Sequence, residues 1–163
     1  MFAPKEIHEK LKAAFPDAIL GEFVEEKLDP YSVVDAMAIA KVAAYLKSDP
    51  DMAFNYLVCI TAVDEKEKLS VVYHLESCDL HDGRIRHSFC VKAQSPRENP
   101  VIASVTHVWA AANWHEREAF DMMGIKFEGH PDLKRILCDD DWVGYPLRKD
   151  YVFPKDFKGI DLS

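Results

Sequence analysis

The segment Leu69–Lys92, LSVVYHLESCDLHDGRIRHSFCVK, carries the clearest strand signal in the chain. Val71, Tyr73 and Leu75 alternate with Val72, His74 and Glu76, the period of two expected of a strand with one face buried. Asp82-Gly83 then marks a turn. Beyond it, Ile85, His87, Phe89 and Val91 face one way, and Arg84, Arg86, Ser88 and Lys92 the other. Immediately upstream, Phe54–Val63 is apolar on both alternations, which predicts a central strand covered on two sides. The charged turn DEKEK, residues 64–68, links it to the next run. Three successive strands with short links predict an antiparallel meander.

The flanking segments have a different period. Ile7, Leu11, Ala14 and Phe15 recur at helical spacing over residues 4–15, with Pro4 in the first turn and Pro16 as a stop. Residues 18–24, AILGEFV, predict a short strand. Ser32 and Asp35 form a candidate capping box for a second helix running to Lys47, with Val34, Ala38, Val42 and Tyr45 as its apolar stripe. This order of elements predicts an α+β fold: a mixed or antiparallel sheet packed with helices on one side, followed by a helix and an extended C-terminal arm. The expected organisation is a core over residues 1–94, a helix-containing segment over 95–138 that completes it, and an arm over 139–163. Pro96 and Pro100 bound the link into the later helix, expected from Val105 to Met123 with Gly124 as its terminator. The aromatic tail is too apolar to float free and too irregular for its own core, so it should lie on this domain or on a neighbour. A second copy of the chain is one such neighbour when the protein is isolated.

Composition narrows the function. The chain has 163 residues, 48% of them hydrophobic and 29% charged, with a formal charge of −8. A general grip on phosphates needs a basic face, so nucleic acid is excluded as an expected partner. The uncharged stretch Asn99–Trp114 is too short for a membrane span, and the N-terminus has no continuous apolar run of the secretory kind. A soluble intracellular protein is expected. Cys59, Cys78, Cys90 and Cys138 form no CxxC pair, so reduced structural thiols are expected, with no iron–sulfur cluster and no metal.

The densest chemistry lies in His115–Asp121, HEREAFD. A zinc-protease helix needs a second histidine four residues after the first, and position 119 is Ala. His107 shares a face with His115 if the helix is continuous, but no third ligand follows. A stand-alone metal hydrolase using these histidines and the carboxylates is the alternative of a different class. Glu116, Glu118 and Asp121 lie within two turns. Arg117 is expected to pair with Asp121 at i, i+4, keeping the cluster charged. His8, His74, His81 and His87 show no clustered partners, and His130 stands in a turn. No nucleophile elbow and no phosphate loop occurs. The residues alone predict no catalytic, cofactor-binding or metal-binding site. They predict a charged helix beside aromatic side chains, which suits a protein interface.

The run Glu116–Leu137, EREAFDMMGIKFEGHPDLKRIL, resembles the signature of the thirty-kilodalton subunit (the bacterial C subunit) of NADH:quinone oxidoreductase, respiratory complex I. Glu116-Arg117-Glu118, Asp121, Met122-Met123, His130, Lys134 and Ile136-Leu137 fill that pattern. Gly144–Tyr151, GYPLRKDY, is similar to the family's closing motif, and residues 62–64 and 71–77 are similar to its central strands. Ala119, Met123 and His115 depart from the usual bulky apolar residues, which bears on local packing.

The resemblance implies a peripheral-arm subunit on the cytoplasmic side of the cell inner membrane. Such a subunit meets the membrane only through the complex and is not catalytic by itself. It implies no cofactor in this chain, with FMN and iron–sulfur clusters held by other subunits. Its implied share is to scaffold the iron–sulfur and quinone-site subunits during electron transfer from NADH to quinone. The implied signature and interface residues are Glu116, Arg117, Glu118, Asp121, Gly124, Phe127, Gly129, His130, Pro131, Lys134, Arg135, Tyr145, Pro146, Leu147, Arg148, Lys149, Asp150 and Tyr151. The equivalent subunit of a membrane-bound hydrogenase or a deazaflavin-linked dehydrogenase is the alternative within the same fold.

Overall fold

A computed structural model describes residues 2–25 and 29–161. Its centre is a five-stranded sheet built from β1 (Ile19–Val24), β2 (Tyr31–Asp35), β3 (Tyr56–Asp64), β4 (Lys68–Cys78) and β5 (Ile85–Pro96), in the order β1-β2-β5-β4-β3. The meander is present: β3 pairs with β4, and β4 with β5, both antiparallel. β2 runs parallel to β5, so the sheet is mixed.

Three helices among the described residues, α1 (Pro4–Ala14), α2 (Ile39–Ser48) and α3 (Ala112–Met123), pack on the sheet. Ile7 and Leu11 from α1, Val42 and Leu46 from α2, and Ala119 and Met123 from α3 share one core. That core is completed by the alternate sheet residues Leu69, Val71, Tyr73, Leu75, Phe89, Val91 and Ala93. The α+β architecture expected from the sequence is the one observed. Smaller strands β6 (Val101–Ala103) and β7 (Lys126–Glu128) pair in parallel, and β8 (Asp156–Phe157) and β9 (Ile160–Asp161) form a short hairpin.

Four expectations need correction. Residues 31–35 form a strand and not the start of the second helix. Ser32 is fully buried and hydrogen-bonds His8 Nδ1 at 2.7 Å, while the β-branched pair Val33-Val34 suits a sheet. Asp35 still organises the helix entrance, because its carboxylate accepts the Met37 and Ala38 N–H groups in a turn ahead of α2. β3 is an edge strand, not a central one, with Tyr56 and Val58 exposed. Helix α3 packs against it, which accounts for the buried Leu57 and Ile60 but leaves Tyr56 and Val58 open to solvent. Residues 105–109 form turns, so the third helix begins only at Ala112. Finally, His74 is clustered: on the sheet face away from the helices it stands in register with Cys59 and Cys90.

Candidate functional site

α3 turns one stripe toward the sheet, with Ala112, Glu116, Ala119 and Met123 buried at helical spacing. A glutamate in such a stripe requires partners, since an unpaired buried carboxylate is costly. Glu116 Oε1 accepts the Val105 N–H at 2.7 Å, and Oε2 accepts the Ser104 hydroxyl at 2.7 Å. Burial pushes its pKa up to about 7 against those two bonds. Glu116 therefore ties the turn at 104–106 to the helix. The Tyr73 hydroxyl is fully buried without a hydrogen-bond partner among the described residues. Burial and then the Glu116 charge raise its pKa well above the ordinary value.

Asp121 lies on the other side of α3 and is also fully buried, because the loop after Gly129 wraps over it. One carboxylate oxygen meets Arg135 Nη1 at 2.9 Å. The other accepts three consecutive backbone N–H groups, from Ile136, Leu137 and Cys138, at 2.9, 2.7 and 3.0 Å. Burial alone would raise the Asp121 pKa, but the three amides and the Arg135 charge outweigh it and hold the group below its ordinary value. The expected Arg117–Asp121 pair is thus not formed. Arg117 stacks on Trp114 at 5.1 Å and donates to the Lys134 and Arg135 carbonyls at 3.1 and 3.3 Å. The physical reason is saturation: four donors converging from one loop leave Asp121 no need of a helix neighbour.

The end of α3 is closed by residues far along the chain. Gly124 adopts φ 70° as the left-handed cap, and its N–H returns to the Phe120 carbonyl. The Met122 carbonyl accepts the Leu147 N–H at 3.1 Å, and the Met123 carbonyl accepts Arg148 Nε at 2.7 Å. Backbone acceptors that helices leave orphaned are met here, and a cation sits at the negative end of the helix. A Cβ on Gly124 would overlap the Tyr145 ring, whose centre is 5.6 Å from the Arg135 and 4.7 Å from the Arg148 guanidinium. Arg135 also donates to the Gly144 carbonyl at 3.1 Å, and Tyr151 packs beside Gly144. The Lys149 N–H reaches Asp64 on β3 at 2.8 Å, and Arg97 bridges Asp64 and Asp150. The bond from Arg97 chiefly holds the Asp64 carboxyl well below the usual range.

The structure thus draws Glu116, Arg117, Asp121, Gly124, Arg135, Gly144, Tyr145, Leu147, Arg148, Lys149 and Asp150 into one interlocked shell around α3. Phe127 is buried beneath it, and Gly129 takes φ 85° at the turn into the loop. His130 donates through Nε2 to the Asn113 carbonyl at 3.2 Å and accepts the Asp132 N–H at Nδ1, as a turn histidine would. Glu118, Pro131 and Lys134 are exposed. His107, His115 and the α3 carboxylates do not assemble a set of converging metal ligands among the described residues, so the stand-alone hydrolase has no support.

Sequence reasoning missed Ser104, Asp64 and Arg97, which join the shell only through long-range contacts. Around it, Leu137, Val143, Leu147, Val152 and Phe153 are exposed, the valines at 84% and 85%. Trp142, packed on Phe153 and Phe157, and Tyr151 each bury a polar atom without a hydrogen-bond partner among the described residues.

Comparison with known proteins identifies the family. A family model described as respiratory-chain NADH dehydrogenase, 30 Kd subunit, matches residues 32–157. The NADH-quinone oxidoreductase C subunit of Chlorobium phaeobacteroides is 40% identical, covering 95% of this chain and 92% of that protein. Its namesake from Moorella thermoacetica is 46% identical, covering 88% of this chain and 91% of its own length. The namesake from Chloroherpeton thalassium is 41% identical, and the chain spans 62% of its length. Among solved structures, a trypsin-resistant fragment of Nqo5 superposes with a TM-score of 0.64 at 31% identity, covering 78% of this chain and 97% of that one. With the match spanning both the sheet and the shell around α3, the chain belongs to the 30 kDa subunit family of respiratory-chain NADH dehydrogenase.

Proposed function

We propose that this chain is a subunit without redox cofactors in the peripheral arm of a proton-translocating NADH:quinone oxidoreductase, on the cytoplasmic side of the inner membrane. It scaffolds the iron–sulfur and quinone-site subunits while electrons pass from NADH to quinone, and it has no turnover alone. The observation that supports this reading is the apolar rim Leu137, Val143, Leu147, Val152 and Phe153, held outward by a shell of buried charge. Several exposed apolar side chains along one ordered segment suit a protein-binding surface. The signature residues act in two ways in this scheme. Glu116 and Asp121 shape the surface from within, while Glu118, Lys134, Leu147 and Lys149 stand where a partner can touch them. Among the described residues no helix is long and apolar enough to cross a membrane, which suits attachment through other subunits.

The test is to tag the chain in a host that assembles the complex, then isolate it with its partners. Val143→Asp and Val152→Asp change side chains that contribute little to the free domain. Each should lower recovery of the iron–sulfur and quinone-site subunits by about tenfold or more, with melting of the free chain unchanged. Leu80→Asp, on the 87% exposed hairpin loop, serves as the control. Full recovery with both rim variants would remove the rim from the interface.

A further inference from the structure

The sheet face opposite the helices carries a row of side chains that the scaffold role does not use. Cys59 on β3, His74 on β4 and Cys90 on β5 are cross-strand partners, so three adjacent strands present them side by side. Tyr31 on β2 is the next partner of Cys90, and Asp29 lies two residues before it. An Asp29 carboxylate oxygen, a His74 ring nitrogen and Cys90 Sγ all lie within 4.8 Å of one another. Cys59 Sγ is 3.3 Å from His74 Nδ1.

We propose that Asp29, His74 and Cys90, with Cys59 as fourth ligand, bind one divalent transition-metal ion of the zinc class.

The donor set fits that class. Tetrahedral zinc takes thiolate, imidazole and carboxylate ligands at about 2.0–2.3 Å, which places ligand atoms roughly 3.5 Å apart. Side-chain movements of about 1 Å therefore close the Asp29–His74–Cys90 group, and Cys59 adjoins it through His74. Two sulfurs and an imidazole favour zinc over magnesium or calcium, which select oxygen. A dication also offsets most of the charge that the Asp29 carboxylate and two thiolates bring, and a neutral imidazole adds none. Among the described residues the Asp29 carboxylate makes no hydrogen bond or ion pair, and no described cation competes there.

Without metal, burial and then Asp29 and Cys59 push the Cys90 thiol up to about 12. Binding must accordingly release the thiol proton to solvent as the sulfur–metal bond forms. Cys59 is half-buried and Asp29 exposed, which leaves the ion a route in from solvent. The ordinary reading of such a row is small packing residues on a sheet, but packing gives no reason for a carboxylate beside a buried thiol.

The experiment uses the full purified chain, reduced and stripped with a chelator, and titrated with Co²⁺ and then Zn²⁺. The expected result is thiolate-to-cobalt charge-transfer absorption that saturates at one equivalent and is bleached by zinc. Asp29→Asn and His74→Gln should each weaken zinc binding by more than about tenfold, and Cys90→Ser should reduce the charge-transfer band to the contribution of Cys59. Cys138→Ser should leave all of this unchanged. If Cys90→Ser fails to fold, the exposed Asp29→Asn decides the matter. Absence of the band, or zinc affinity unmoved by Asp29→Asn and His74→Gln, overturns the site. Neither result depends on recovery of partner subunits, so the scaffold reading stands or falls separately.

Discussion

The two sides of α3 are held by different physics. Toward the sheet, Ala112, Ala119 and Met123 join a core of aliphatic and aromatic side chains, where stability scales with the area removed from water. Toward the loop of residues 130–138 and the segment 144–151, the helix is gripped by a buried carboxylate, two arginines and backbone donors and acceptors. An apolar core tolerates exchange of one hydrophobe for another of similar volume. A polar clamp tolerates little, because removing one partner strands the others in a dry environment. The difference fits the placement of Asp121, Arg135, Tyr145 and Arg148 on the clamp, where atom identity matters and volume alone does not suffice.

The largest expected effect separates the two regions. Asp121→Ala strips Arg135 and three amides of their acceptor and should cost about 3–5 kcal/mol. The loss should show first as protease cleavage within residues 130–151 and a change in Trp142 fluorescence, ahead of global melting. Leu75→Ala, of comparable size at about 2–5 kcal/mol, should instead lower the global midpoint without selective cleavage. Identical behaviour of the two variants would mean that core and clamp form one cooperative unit.

Glu116 sharpens the comparison through pH. Its folded pKa of about 7 lies above the ordinary 4.5, so between these values the native chain keeps a proton that the unfolded chain has released. Stability from this group is complete below the unfolded pKa and is lost as pH rises through the folded one. The loss amounts to up to about 3 kcal/mol. Glu116→Gln should flatten the dependence of melting temperature on pH over pH 5–7 and leave the variant at least as stable at pH 8. An unchanged slope would show that Glu116 is ionised throughout.

Gly124→Ala should cost about 1–3 kcal/mol for a non-glycine residue in the left-handed region, on top of displacing the Tyr145 ring. Because the added Cβ overlaps Tyr145, faster amide exchange should be confined to residues 144–151. Uniform acceleration across the sheet would instead make Gly124 part of the core.

Local patterns were legible where burial is one-sided and periodic. Val71-Tyr73-Leu75 and His87-Phe89-Val91 alternate as strands and are strands; Ile7-Leu11 repeats as a helix and is one. The errors share a cause. Ser32-Val33-Val34-Asp35 satisfies a capping pattern, yet pairing with β5 overrides it, since a parallel neighbour supplies hydrogen bonds that no local window contains. Phe54–Val63 reads as central because Tyr56 and Val58 are apolar although they stand exposed, and apolarity alone does not show which face is covered. Arg117 and Asp121 have helix-pair spacing, but the loop donors reach Asp121 from residues 135–138.

The sequence by itself determined the element types along most of the chain, the α+β class and the residues that carry the family's signature. These follow from periodicity and from the identities of side chains near one another in the chain. Only the tertiary structure decided that Glu116 and Asp121 face inward, that residues 147–148 cap α3, and that Cys59, His74, Cys90 and Asp29 share one patch. Each of those depends on contacts between distant segments, whose partners are chosen by strand register and loop closure and leave no periodic trace in the chain.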